Sequence, residues 1–109
     1  MNIDFNDIEL SVIPKFKGGE KEISARMFFD GQNRIMKGKL IPGASIGTHT
    51  HTDSSEIIFI TAGEGSVICD GTRSKVHAGI CHYCPKGHTH SLINDSPADL
   101  EFLAVVPQQ

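Results

Sequence analysis

Short apolar segments cut by turn residues at close intervals are the feature that most restricts how this chain can fold. Asp30-Gly31, Pro42-Gly43, Asp70-Gly71, Ala78-Gly79 and Pro85-Lys86-Gly87 punctuate the sequence, and such combinations favour tight bends in the backbone. Between them lie residues 23–29, 34–41, 56–62, 66–70, 72–77, 80–84, 90–94 and 100–106, rich in β-branched and aromatic side chains. These read as strands. A helix over 34–41 is excluded because Gly38 and Pro42 interrupt it. The alternation Ile8-Glu9-Leu10-Ser11-Val12 adds a strand that ends near Pro14, as suits the edge of a sheet. About nine short strands without a helix imply an all-β sandwich or barrel.

The chain has 109 residues, enough for one domain around one core. Residues 1–22 are a candidate N-terminal arm, and apolar residues on such an arm are often covered by a second subunit. Acidic and basic residues are mixed and the net charge is only -3, which gives no footprint for nucleic acid. No apolar run reaches membrane-spanning length, and the first residues carry neither a basic stretch nor an apolar stretch of a targeting segment. The expected location is therefore the cytoplasm. Three cysteines, Cys69, Cys81 and Cys84, leave one unpaired after any bridge, which argues against a secreted disulfide scaffold. Cys81 and Cys84 would point to opposite faces of one strand, and no helix follows them as a redox pair would require.

The chemistry-bearing residues gather on these strands. His49 and His51 share a face, Glu56 opens the next strand on the face of Ile58 and Ile60, and His90 shares a face with Leu92 and Asn94. Taken singly, His90 or Glu56 would more often be a surface or satisfied core residue. Three imidazoles and a carboxylate on strands lining one interior instead suit a divalent metal. His88-Thr89-His90 repeats the His-x-His pattern, so by chemistry alone either histidine could complete the set.

Gly43-x5-His49-x-His51-x4-Glu56-x6-Gly63, followed by Gly79-x5-Pro85-x-Gly87-x2-His90-x3-Asn94, resembles the paired motifs of the cupin superfamily. Both motifs are complete, and fifteen residues separate Gly63 from Gly79, similar to compact single-domain cupins. The resemblance implies an antiparallel jelly-roll barrel, or double-stranded β-helix, that is usually a homodimer. It also implies metal ligation by His49, His51, Glu56 and His90, and a structural role for Asn94. The expected cofactor is one divalent transition metal per chain, iron, manganese, nickel, cobalt or zinc.

Four protein ligands leave open positions on a six-coordinate ion. The leading expectation is a metal-dependent enzyme acting on a small polar or oxygen-bearing metabolite by isomerase, lyase or dioxygenase chemistry. The alternative is a non-catalytic cupin that binds a metal or small ligand in a sensory or binding role. Proton transfer would fall to rim residues, with His88 and Tyr83 as the catalytic candidates and Asp53 beside them. His82 and Tyr83 alternate, so at most one of them faces the cavity.

Overall fold

A computed structural model describes residues 1–109. Its ten strands are β1 (Ser11–Pro14), β2 (Glu22–Phe29), β3 (Asn33–Leu40), β4 (Ser45–Thr50), β5 (Glu56–Ala62), β6 (Glu64–Cys69), β7 (Thr72–His77), β8 (Cys81–Cys84), β9 (Thr89–Ile93) and β10 (Leu100–Pro107). They form a six-stranded sheet in the order β1-β2-β3-β10-β5-β8 and a four-stranded sheet in the order β4-β9-β6-β7. Every pairing between these strands is antiparallel. The two sheets make the jelly-roll, or double-stranded β-helix, that the sequence led us to expect. Short 3-10 turns at Phe5–Asp7 and Phe16–Gly18 are the helical elements, and no helix is long and apolar enough to cross a membrane.

Period-two alternation explains how the sheets face one another. Ile58 and Ile60 of β5, Leu100, Phe102 and Ala104 of β10, and Met36 and Leu40 of β3 are buried, as are Val67 and Leu92 from the opposing sheet. Burying each of the larger side chains contributes roughly 1.5–3 kcal/mol. Gly38 lies in register with Phe102, and a β-carbon there would come within 2.5 Å of the Phe102 ring. The glycine that excludes a helix thus makes room for the largest core side chain.

The hairpin read from Asp70-Gly71 forms between β6 and β7, with positive φ at both residues (50° and 82°), the backbone of a two-residue turn matched to strand twist. At the N-terminus the first strand starts later than its alternation suggests. Asp4 caps the Phe5–Asp7 turn by accepting a bond from the Asn6 amide, so pairing begins at Ser11. That strand does lie at a sheet edge; Ile13 packs against the core, while Leu10 and Val12 remain exposed.

Candidate metal centre

His49 is aimed by an irregularity in β4. Ile46 pairs with Leu92 and His49 with His90, so three steps along β4 match two along β9. The extra residue is a β-bulge around Gly47 and Thr48, a device that re-aims a side chain. Gly47 is required there by crowding: a β-carbon would lie 2.1 Å from the Lys17 carbonyl oxygen. Its own carbonyl accepts a 2.7 Å bond from Nδ1 of His49. That bond fixes the proton on Nδ1 and leaves the Nε2 lone pair pointing inward.

His51 follows the end of β4, Glu56 opens β5, and His90 lies on β9. The ligand atoms of His49, His51, Glu56 and His90 all lie within 4.8 Å of one another. Nε2 of His90 is 3.0 Å from Nε2 of His51, 3.2 Å from Nε2 of His49 and 2.9 Å from Oε1 of Glu56. Nε2 of His51 is 3.1 Å from the same carboxylate oxygen. The three rings meet edge-on, with centroids 4.7–5.0 Å apart.

Each imidazole is also held from behind. Nδ1 of His51 lies 2.9 Å from the Ser54 hydroxyl, and Nδ1 of His90 lies 3.0 Å from Nε2 of His82. Three Nε2 atoms and one carboxylate oxygen therefore converge, the donor set of a divalent first-row metal. Burial alone would raise the Glu56 carboxyl, but the imidazoles of His49, His51 and His90 gathered around it outweigh that effect and hold it well below the usual range. The carboxylate is thus ionised as a ligand must be, and without a cation the concentration of buried lone pairs would be costly.

With His90 buried behind them, His49, His51 and Glu56 line a cavity of about 440 Å³. Its wall includes Phe16 and Lys17 from the second 3-10 turn, Met27 of β2, Arg34 and Met36 of β3, and Asp53. The guanidinium of Arg34 stacks 4.6 Å from the Phe29 ring centroid and has no carboxylate partner among the ion pairs of the chain. Sequence reading did not single out Arg34 or Lys17, because a lone cation on a strand or turn has no motif to mark it.

The other expected rim residues are placed elsewhere. Tyr83 pairs with Ile57, which puts it on the outer face of the sheet, 56 % exposed. His88 bonds through Nδ1 to Asp70 at the β6–β7 turn. Neither lines the cavity. Of the alternating pair, it is His82 that turns inward, half-buried against His90, and burial followed by the field of His90 lowers its pKa. Cys81 is exposed and Cys84 buried, on opposite faces as their spacing requires. Burial and the neighbouring Cys69 push the Cys84 thiol up to about 12, so it is neither a ready nucleophile nor a member of the quartet.

Residues 36–106 match the model of the cupin domain family. The chain is 31% identical over 112 residues to an oxalate-binding protein of Thermotoga maritima, covering 97% of this chain and 93% of that one. A crystal structure from Thermotoga maritima, of a protein described as a predicted oxalate decarboxylase, superposes over the full length of both chains with a TM-score of 0.92 and 30% identity. The polyketide cyclase RemF of Streptomyces resistomycificus shares the fold, with a TM-score of 0.80 at 20% identity over 100% of this chain and 80% of that one. The two sheets, the converging ligand set and these matches agree: the chain belongs to the cupin superfamily.

Proposed function

We propose that this cupin holds one divalent transition metal through His49, His51, Glu56 and His90 and acts on a small carboxylate, by lyase chemistry of the decarboxylation type. The observation that carries the reading is the convergence of three imidazole Nε2 atoms and a buried carboxylate, three of whose residues, His49, His51 and Glu56, line a cavity. A six-coordinate ion keeps positions for substrate oxygens, which favours manganese, iron, cobalt or nickel over four-coordinate zinc. When bound, the ion supplies Lewis-acid polarisation of a chelating carboxylate. Arg34 and Lys17 contribute positive charge to the wall and so select an anion. Met27, Met36 and Phe16 keep much of the remaining wall apolar, which strengthens those charges by excluding water. Asp53 is the carboxyl of the wall outside the quartet, and proton handling falls to it rather than to His88 or Tyr83. The names of the Thermotoga maritima relatives, an oxalate-binding protein and a predicted oxalate decarboxylase, point to a dicarboxylate of that size.

A second reading, binding of the same anion without turnover, is favoured by how few acid–base groups line the cavity. Metal analysis and oxalate assays on untagged protein distinguish the readings. The wild type is expected to carry a transition metal in about stoichiometric amount and His49→Ala to lose it. Arg34→Gln is expected to weaken oxalate binding about tenfold or more while keeping the metal. Absence of metal from the wild type after reconstitution would defeat both readings. Tight oxalate binding without product would select the second.

We also propose a homodimer formed through the outer face of the six-stranded sheet. Tyr83, Ile57, Val105, Ile35 and Phe28 stand in one cross-strand row, with Phe59 beside Leu103 in the next. Phe59 and Tyr83 are about half exposed, an apolar band that a second copy would cover.

A further inference from the structure

His82 reaches the interior because of strand register. Glu56 pairs with Cys84 and Ile58 with His82, so His82 lies on the same inward face as the carboxylate ligand, at the edge strand of its sheet. Its ring lies nearly coplanar with that of His90, the two meeting edge to edge with centroids 5.2 Å apart and planes inclined by 25°. Nε2 of His82 is 3.0 Å from Nδ1 of His90, on the side of the His90 ring opposite the quartet.

We propose that His82 is a positioning residue of the metal centre: its Nε2 accepts a hydrogen bond from Nδ1–H of His90 and so holds the His90 Nε2 lone pair on the ion. The proposal rests on the reading of His90 as a metal ligand. A neutral imidazole carries one proton, and the partner at one nitrogen decides what the other can do. For His49 that partner is a backbone carbonyl, which can only accept. For His90 it is a second imidazole, which accepts only if its own proton sits on Nδ1. The two tautomers are therefore coupled, and the bare Nε2 of His90 depends on the bare Nε2 of His82. His90 is 1 % exposed, so water has little access to take over the bond if the His82 ring is removed. The contact also fixes the His90 ring plane, leaving less orientational freedom to be lost when the ion binds.

Cobalt titration of the apo protein, followed by the visible absorption of the bound ion, tests this on the wild type, His82→Leu and His82→Gln. His82→Leu is expected to weaken cobalt binding about 10–100-fold, with apo melting temperatures that stay close to one another. His82→Gln, whose side-chain oxygen can accept the same bond, should recover most of the affinity and the wild-type spectrum. A leucine variant that binds as tightly as wild type overturns the proposal, and so does a glutamine variant no better than leucine. Wild type that binds no cobalt defeats the metal reading itself, a separate outcome. Nitrogen NMR of the zinc-loaded wild type reads the tautomers without any substitution: His82 protonated on Nδ1 supports the assignment, and His82 protonated on Nε2 overturns it.

Discussion

Asn94 shows how one side chain can hold a strand end together. It is fully buried, and its Nδ2 donates to the carbonyls of Leu40 and Ala98, each at 2.8 Å. Its Oδ1 accepts from the amide and hydroxyl of Ser96 at 3.0 and 2.9 Å. All hydrogen-bonding groups of the amide are engaged, and the carbonyl of Leu40 belongs to the strand that pairs with β10. Asn94→Ala would remove all four of these bonds from a buried strand end, so a loss of about 2–3 kcal/mol is expected in urea unfolding. Cobalt affinity should stay within a few-fold of wild type, because no bond of Asn94 reaches the quartet. A loss well under about 1 kcal/mol would show that the amide is not the support the geometry suggests.

At the scale of elements, the second 3-10 turn and the bulge of β4 form one device. Gly19 and Gly47 pass so closely that a β-carbon at Gly19 would lie 2.0 Å from the Ser45 carbonyl oxygen, just as one at Gly47 would strike Lys17. The turn carries Phe16 and Lys17 to the cavity wall, and the bulge aims His49. Gly47→Ala is therefore expected to destabilise the fold by about 1–3 kcal/mol and to weaken cobalt and oxalate binding together, measured by thermal melts and calorimetry. Gly71→Ala supplies the contrast. Its φ is +82° but open space surrounds it, so it should cost about 1 kcal/mol of backbone strain and leave both affinities unchanged. Equal effects of the two substitutions on metal binding would refute the link between bulge and ligand.

For the whole molecule, the two faces of the six-stranded sheet divide the work. The inner face carries the core and Glu56; the outer face carries the apolar band proposed to pair two copies. Phe59 is 47 % exposed, so Phe59→Lys disturbs the band with little effect on the core. Light scattering is expected to find wild type at twice the chain mass and the variant at the chain mass, with matching circular dichroism. A monomeric wild type would rule out the pairing at the concentrations measured.

Alternation and turn chemistry determined much of the strand pattern, because they are local properties of the chain, while the fourth member of the candidate ligand set came from the cupin resemblance. His49, His51, Glu56 and His90 could be named from spacing with a family resemblance, and Asp70-Gly71 announced its hairpin through its need for positive φ. Alternation fixes only that neighbours lie on opposite faces, so which of His82 and Tyr83 turns inward waited on the pairing of β8 with β5. The bulge at Gly47, the approach of the turn at Lys17 and the placement of Arg34 on the cavity depend on strands far apart in sequence. Packing, rather than any local preference, brought Lys17 and Arg34 to the cavity that His49, His51 and Glu56 line.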